Sequence, residues 1–363
     1  MPPLWKVRRE LTRLGQQLRA CFEPLYEPAR QRRHDRAFEE GFPQVEGVVE
    51  AGHKVAIVLI YQPKVIPASL LLMLDHLVSH GYAPLVISNA LLTDSAHAAL
   101  APRVWRIVER PNVGYDFGGY RDGIRLLWRW LLVPDSLLIL NDSIWFPMIR
   151  DADLIPRLEA SKADLSGTIL RDGGKGAFLE SYCYHIPAST FRHPAFRAYW
   201  RDLKLTANKY KVIRRGERAH SVALTQAGLT VAPVYSNRAF REALDGQGDD
   251  FLRTMLRHAA FTEANMAADC DAVLRAPDGP GWRALALAHV DRTLARSNFY
   301  RHYPVGAVRL LSYPILKKSK DEVARHWRSA YLGAVEEGAL PAPPGPILSE
   351  LRALSLPVTR PTK

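Results

Sequence analysis

The stretch NVGYDFGGYRDGIRLLWRWLLVPDSLLILNDSIWFP, residues 112–147, decides the fold because it joins a glycine-rich turn, an amphipathic helix and a short apolar strand. Gly118 and Gly119 open the helix, whose apolar side chains recur at helical spacing. Asp116 precedes these glycines and is the predicted N-cap, because a short acidic side chain accepts hydrogen bonds from the first helical amides. The turn and helix therefore form one predicted unit.

The apolar strand Ser136–Leu140 ends in the polar tip Asn141-Asp142-Ser143. In an open α/β sheet, ligands bind at the carboxyl ends of strands and at helix N-termini. The strand tip and the glycine turn supply one feature of each kind within a single short segment. We therefore expect a ligand site where the two features meet.

The segments before this stretch alternate between strand and helix patterns. Continuous apolar runs typical of buried parallel strands are interrupted by amphipathic segments, one of which ends at Gly81. The predicted order is strand Lys54–Tyr61, helix after Pro67, strand Ala83–Ala90, helix Ala96–Leu100 and strand Val104–Glu109. This order predicts an α/β fold with a mostly parallel sheet, flanking helices and right-handed crossovers.

Four segments are predicted along the chain. Residues 1–50 form a basic helical extension, residues 51–240 the α/β domain, residues 241–335 a helical C-terminal region, and residues 336–363 a Pro-rich tail that is extended or disordered. Within the second half of the α/β domain, strands are expected at Asp164–Leu170, Ala177–Ile186 and Leu229–Tyr235.

The composition limits the class of protein. Of the 363 residues, 47% are apolar and 24% charged, as in an ordinary soluble globular protein. No apolar run is long enough to cross a bilayer, and the charged N-terminus is not followed by the apolar segment of a secretory signal. The three cysteines form no CxxC pair, so neither a zinc ribbon nor a disulfide framework is predicted. A cytoplasmic location is expected.

The net charge of +12 favours anionic partners. Between Trp5 and Leu18, apolar residues at helical spacing alternate with Lys and Arg, a pattern that suits peripheral contact with an anionic inner-membrane surface or packing on the main domain. The sequence leaves both alternatives open. No nucleic-acid reading motif is present in the sequence, so a nucleic-acid partner is not predicted.

Asp142 is the candidate with the clearest chemistry. A carboxylate just past an apolar strand can hold a divalent cation, Mg²⁺ or Mn²⁺, that bridges a diphosphate, or it can bind a ribose hydroxyl directly. The alternative is structural, with Asp142 and Ser143 capping the next turn.

The turn Asn112-x-Gly114-x-Asp116-x-Gly118 supplies a second candidate. Glycines let backbone amides approach a phosphate, and the helix dipole favours the negative charge. The turn lacks the lysine of a P-loop, and its spacing differs from the dinucleotide GxGxxG. The prediction therefore depends on the neighbouring Asp142.

These residues also carry a resemblance. The segments RPNVGYDFGGYRDGI and LILNDSIWFP resemble the rhamnan synthesis F family of bacterial polysaccharide proteins. The resemblance continues through Ser181-Tyr182, the Phe196/Trp200 segment and KVIRRGERAHSVALTQAGL, and covers roughly residues 54–234. The first segment also looks like the N-x-G-x-x-x-x-x-N-x-G signature of family 2 glycosyltransferases, with Asp122-Gly123 in place of the second Asn-x-Gly.

The resemblance implies a glycosyltransferase A-like, Rossmann-like fold. It implies transfer of a sugar, often rhamnose, from a nucleotide-diphosphate donor to a growing glycan or lipid-linked acceptor at the inner membrane face. One acidic residue stands where such folds carry Asp-x-Asp, which leaves metal dependence open. The alternative is a non-catalytic glycan- or complex-binding module of a polysaccharide assembly system that retains the fold.

By the same resemblance, Asp142 lies near the donor diphosphate or its metal, and Tyr61 and Gln62 lie near the nucleotide. The remaining donor-binding residues implied are Asn112, Gly114, Asp116, Gly118, Asn141, Ser143 and Arg171. Cationic side chains at Arg171, Lys175, Lys211, Arg214 and Arg215 could neutralise the diphosphate leaving group. The loop at residues 173–176 is a candidate lid.

An inverting transfer needs a base for the acceptor hydroxyl, and Glu217 is the first candidate for that catalytic role. Its alternative role is a first-turn glutamate that complements a helix dipole. Glu180 and Asp116 are the other candidate bases.

Overall fold

The computed structural model describes residues 25–172, 176–279 and 281–355, and a mixed sheet of nine strands lies at the centre of this part of the chain. The strands along the chain are β1 (Gln44–Glu46), β2 (Lys54–Ile60), β3 (Ala83–Ser88), β4 (Arg106–Glu109), β5 (Ser136–Asn141), β6 (Ile144–Trp145), β7 (Leu165–Arg171), β8 (Phe178–Leu179), β9 (Cys183–Pro187), β10 (Val231–Tyr235) and β11 (Leu316–Lys317).

The sheet has the order β1-β4-β3-β2-β5-β9-β7-β10, with β8 paired to β7. Strands β4, β3, β2 and β5 run parallel, β9 runs antiparallel between β5 and β7, and β7 and β10 are parallel to each other. The predicted α/β fold with a mostly parallel sheet is confirmed. The segment expected as one strand at residues 177–186 is instead two short strands, β8 and β9, separated by a turn.

The helices complete the element order. They are α1 (residues 25–40), α2 (Ala68–Ser79), α3 (Asp94–Leu100), α4 (Tyr115–Arg129), α5 (Leu154–Ala160), α6 (Ala188–Arg192), α7 (Pro194–Asp202), α8 (Lys209–Val212), α9 (Ala219–Gln226), α10 (Asn237–Asp245), α11 (Asp249–Arg257), α12 (Ala264–Arg275), α13 (Trp282–Leu294), α14 (Pro304–Leu311), α15 (Glu322–Glu336) and α16 (Gly345–Ser355). A π-helical segment, Ile213–Arg218, joins α8 to α9.

Alternation along the buried strands sends side chains into two separate cores. Val55, Ile57 and Leu59 of β2 face a core shared with α1, α4, α7 and α9, whereas Ala56 and Val58 face a core shared with α2, α3 and α10–α14. The C-terminal helices therefore continue the core of the α/β domain. Strand β1 also joins the sheet edge, so part of the predicted N-terminal extension belongs to the central fold.

Helix α4 begins earlier than the sequence indicated. Gly114 is its N-cap and has a left-handed φ of +84°, so Asp116 lies in the first turn and the prediction that Asp116 is the N-cap is wrong. Gly118 lies inside the helix, where a Cβ atom would overlap the Val113 carbonyl oxygen. The structure thus gives Gly118 a packing role in closing the first turn.

A buried charge network joins the middle of this helix to α1 and to the turn before α4. Asp122 of α4 accepts hydrogen bonds from Arg110 Nε at 2.6 Å and lies 2.8 Å from His34 Nε2 of α1. Burial alone would raise the pKa of Asp122, but Arg110, His34 and Arg121 together outweigh burial and lower that pKa. Arg110 also donates to the Val113 carbonyl at 2.6 Å, so this ion pair positions the turn that precedes α4.

The C-terminal tail differs from its prediction. Residues 345–355 form helix α16, which buries Ile347 and Leu351 against a third apolar cluster, so the prediction of an extended or disordered segment there is wrong. The helix begins directly after the proline-rich residues. Its tertiary contacts stabilise the helix. Among the described residues, no helix combines the length and apolarity needed to cross a bilayer. The basic helix predicted at Trp5–Leu18 lies outside the described residues.

Candidate functional site

At the tip of β5, the side chains of Asn141 and Asp142 accept hydrogen bonds from different parts of the chain. Asn141 Oδ1 accepts hydrogen bonds from the Ser143 amide at 3.2 Å and the Ser143 hydroxyl at 2.5 Å, so Asn141 closes the turn. Asp142 Oδ2 instead accepts from the Tyr61 amide at 2.8 Å and from Gln62 Nε2 at 2.7 Å. Asp142 therefore points toward the end of β2.

Asp116 connects the helix to this tip. Asn141 Nδ2 donates to Asp116 Oδ2 at 3.3 Å, so the glycine turn and the strand tip meet at the carboxyl edge of the sheet. Burial, together with the negative charges of Asp142 and Glu217, raises the pKa of Asp116 to about 6, against an opposing effect of Lys209. Burial likewise raises the pKa of Asp142. Three carboxyl groups thus share one electrostatic environment.

Glu217 reaches the site from the π-helical segment. It lies within a continuous helical run from residue 209 to residue 226, so the alternative that Glu217 complements a helix N-terminus does not fit. Single π turns often occur at functional sites, because they push one residue out of the regular helical spacing. Glu217 Oε1 accepts hydrogen bonds from the Ser181 amide at 3.1 Å and the Ser181 hydroxyl at 3.3 Å.

Burial raises the pKa of Glu217, and the charge of Glu180 adds to the shift, while the Ser181 amide opposes it. Both bonds from Ser181 use the same oxygen, Oε1. Within the described part of the chain, the other oxygen, Oε2, has no hydrogen-bond partner. Ser181 thus fixes the carboxylate through Oε1 and leaves Oε2 to accept a proton.

Glu180, the other candidate base, is committed to ion pairs. It is 1% exposed and accepts a hydrogen bond from the Tyr300 hydroxyl at 2.8 Å. Lys317 Nζ lies 3.0 Å from one carboxylate oxygen and Arg171 Nη1 lies 3.6 Å from the other. Burial would raise the pKa of Glu180, but Lys317 and Tyr300 outweigh burial and lower it. Glu180 is therefore a poor proton acceptor and an anchor for cations.

Two lysines at this site were not found from the sequence. Strand β11 pairs with β6, and the Lys318 amide donates to the Ser143 carbonyl at 2.7 Å, which places Lys317 and Lys318 beside the tip of β5. Burial lowers the pKa of Lys318, while the negative charges of Glu350 and Asp142 oppose the shift. The only signal in the sequence was the basic run LKKSK after an apolar segment, at residues 316–320.

The other residues predicted for the site differ in how they contact the carboxylates Asp116, Asp142 and Glu217. Tyr61 contributes its backbone amide while its side chain is 55% exposed, and Asn112 is exposed on the turn. Arg215 pairs with Glu27 of α1, which gives it a structural role. Arg171 contacts the cluster through Glu180. Lys175 and most of the candidate lid lie outside the described residues.

A divalent cation could be held by Asp116 and Asp142. Among the residues that the structure describes, no three His, Cys, Asp or Glu side chains form a complete ligand set. Magnesium sites that also contact substrate phosphates use one or two carboxylates and complete their shell with phosphate oxygens and waters. Burial raises the pKa of both carboxylates, and the charge of Asp142 also raises that of Asp116, so the pair fits a site of that kind.

Comparisons with known proteins agree with the assignment of a family. The family described as "Rhamnan synthesis protein F" matches residues 85–246. An uncharacterized protein of Sinorhizobium fredii, y4gN, is 31% identical over 325 residues, which cover 87% of this chain and 84% of that protein. A mannosyltransferase from Pyrobaculum calidifontis, solved in complex with GDP-Man and Mn²⁺, aligns over 94% of this chain and 92% of its own, at 12% identity and a TM-score of 0.32. The chain belongs to the rhamnan synthesis protein F family.

Proposed function

We propose that this protein is a glycosyltransferase that moves a sugar from a nucleotide-diphosphate donor to a glycan or lipid-linked acceptor, with inversion at the anomeric carbon. The observation that carries the proposal is the convergence of Asp116, Asp142 and Glu217 at the carboxyl edge of the sheet. Membership of the rhamnan synthesis protein F family supports it. In such a sheet, this edge is where nucleotide ligands bind.

The donor diphosphate is proposed to bind between the tip of β5 and the turn before α4. Asp142 and Asp116 would hold Mg²⁺ or Mn²⁺ against the phosphate oxygens, and the bound cation would neutralise charge on the leaving group. Lys318 interacts electrostatically with Asp142 and adds a positive charge to this part of the site. The nucleotide would lie along Tyr61 and Gln62, with Asn112, Gly114, Asn141 and Ser143 lining the rest of the pocket.

Glu217 is the proposed base. As the acceptor hydroxyl oxygen attacks the anomeric carbon, its proton passes to Glu217 Oε2 and the bond between the anomeric carbon and the diphosphate oxygen breaks. The electron pair leaves with the nucleoside diphosphate. Ser181 holds Oε1, so the carboxylate is oriented before the acceptor arrives. Rhamnose is the sugar that the family's description suggests, and the acceptor is a growing polysaccharide at the inner membrane face.

A screen of nucleotide sugars tests the proposal. Each donor is added with and without Mg²⁺ or Mn²⁺, and both the melting temperature and release of nucleoside diphosphate are measured, because a ligand of the folded state raises its stability by mass action. We expect one donor to raise the melting temperature and to be turned over. If no donor is bound or turned over under any metal condition, the non-catalytic alternative replaces the enzyme.

A further inference from the structure

The π-helical segment Ile213–Arg218, which carries Glu217, contacts side chains from three other helices. A π turn bonds residues five apart in place of four, so its shape depends more on its surroundings than the shape of an α-helix does. The contacts fall on Arg215 and Gly216, the two residues directly before Glu217. The side chains that hold these two residues therefore decide where the Glu217 carboxylate lies.

Tyr199 of α7 holds the backbone of the π-helical segment. Its hydroxyl donates to the Arg215 carbonyl at 2.9 Å and to the Gly216 carbonyl at 3.0 Å. Burial raises the pKa of Tyr199, so the hydroxyl stays protonated and remains a donor. The Tyr199 ring packs against the rings of Trp200 and His220, whose centroids lie 5.1 and 4.9 Å away. Tyr199 is thus a fixed donor to the two carbonyl groups that precede the base.

Glu27 of α1 holds the same segment through a side chain. Both terminal nitrogens of Arg215 donate to the Glu27 carboxylate, with 3.3 Å between Nη2 and Oε2. The two side chains are only 26% and 12% exposed, and a paired, partly buried contact is stronger than a single ion pair at the surface. Helix α1 is anchored in turn, because Asp35 accepts hydrogen bonds from Arg121 and Arg125 of α4, both at 2.8 Å. Arg215 is therefore tied to α4 through α1.

The π-helical segment also packs directly on the helix that carries Asp116. A Cβ atom at Gly216 would lie 2.4 Å from Phe117 Cγ, and Phe117 follows Asp116 in the first turn of α4. The negative charge of Glu217 contributes to the raised pKa of Asp116, so the two carboxylates repel each other. This repulsion favours movement of Glu217 away from the site, and contacts from outside the site must oppose it.

We propose that Tyr199 and Glu27 are positioning residues for the base. They hold the backbone and the side chain of the residues before Glu217, so that the Glu217 carboxylate stays close to the charge of Asp116 and ready for the acceptor hydroxyl. This inference rests on the proposed function. It gives α1 and α7 a part in the reaction, although neither Tyr199 nor Glu27 is assigned a contact with substrate.

The experiment uses two conservative variants and two matched controls. Tyr199→Phe removes the hydroxyl and keeps the ring, and Glu27→Gln removes the charge and keeps the length of the side chain. The controls are Tyr210→Phe, on the neighbouring α8 with 60% of the side chain exposed, and Glu40→Gln, at the exposed end of α1. For each protein, kcat and the donor KM are measured across pH, and the melting temperature verifies that the protein is folded.

Each positioning variant should lower kcat about tenfold and change the donor KM by no more than about twofold, because the base is misplaced while the donor site is intact. The acidic limb of the pH–rate profile should move to lower pH, since a displaced Glu217 loses part of the burial that raises its pKa. Both controls should keep the wild-type values.

A double variant separates positioning from a general structural defect. If Tyr199 acts only through the base, Tyr199→Phe should not lower the residual rate of Glu217→Gln any further. A general defect would lower the residual rate by the same factor as in the wild type. An additive loss in the double variant overturns the proposal, and so does an unchanged kcat in both positioning variants.

The position of Glu217 is also measured without substrate. The protein is isotope-labelled at the glutamate side-chain carboxyl carbon, and the NMR signal that disappears in Glu217→Gln is followed across pH. The midpoint of its titration should move toward that of an ordinary glutamate in both positioning variants and stay unchanged in both controls. If no donor is turned over, the proposed function fails and this midpoint alone decides: a shift retains Tyr199 and Glu27 as the residues that hold Glu217, and an unchanged midpoint removes them.

Discussion

Glu350 of α16 holds Lys318 in position beside the proposed donor site, although the two residues belong to different C-terminal elements. Lys318 Nζ lies 3.8 Å from Glu350 Oε2 and donates to Ser69 Oγ at 2.9 Å. Ser69 Oγ and Trp145 Nε1 in turn donate to Glu350 at 2.6 and 2.7 Å. The last described helix therefore completes a site whose first residues, Tyr61 and Gln62, lie just after β2.

Replacing Lys318 by Met should weaken donor binding. Without the positive charge of Lys318, less of the donor's negative charge is neutralised. We therefore expect the donor Kd to rise about tenfold. Isothermal titration with the donor found in the screen measures the change. Lys320→Met is the control, since Lys320 is exposed and lies two residues away. An equal loss in both variants would indicate only a general effect of net charge.

The carboxylate of Asp142 can be tested without removing its structural hydrogen bonds. Asp142→Asn keeps an oxygen that accepts from the Tyr61 amide, so the free energy of unfolding should change by no more than about 1 kcal/mol. The increase in melting temperature caused by the donor and metal should be lost, because the charge that they contact is gone. Asp135→Asn, at the exposed start of β5, is the comparison and should respond to donor like the wild type. Full donor stabilisation in Asp142→Asn would remove Asp142 from the site.

Asp116 should make the unliganded protein less stable at neutral pH. Its pKa is about 6 in the folded state against 3.8 for the ordinary group, so the folded state binds the proton more tightly. Stability should therefore fall as the pH rises from about 4 to about 6 and stay lower above that range. Asp116→Asn removes this penalty, and we expect a gain of about 2 kcal/mol at neutral pH and almost none near pH 4. Urea unfolding of both proteins across this range measures the difference, and a gain that does not depend on pH would contradict the explanation.

Glu217 should control the acidic limb of the pH–rate profile. A base acts only when ionised, and the pKa of Glu217 is raised, so kcat should decline with falling pH at a higher value than an ordinary glutamate would give. Glu217→Gln should lower kcat by about a hundredfold or more and remove that limb, while donor binding persists. Glu242→Gln, at an exposed position of α10, is the control. Retention of wild-type kcat in Glu217→Gln would exclude the residue as the base.

The sequence determined the central sheet and the neighbourhood of the site, because both depend on local patterns. Continuous apolar runs specify buried parallel strands, and parallel strands end at one edge, so the polar tip at Asp142 and the turn at Gly114 had to lie near that edge. The same local reasoning misplaced the start of α4, since glycines that serve close packing and glycines that approach a ligand look alike in one sequence.

Only the tertiary structure decided which distant residues complete the site. Strand β11 is two residues long and pairs with β6 across more than 170 positions of chain, and no periodicity in a basic run such as Lys317-Lys318 indicates that pairing. Arg171, Arg296 and Arg301 likewise line one pocket although they are far apart in sequence. No local pattern indicates this, because the packing of helices against the sheet brings them together. A local sequence pattern determines which face of a helix or strand is buried. Contacts between side chains that are remote in sequence depend on how all the helices and strands pack together.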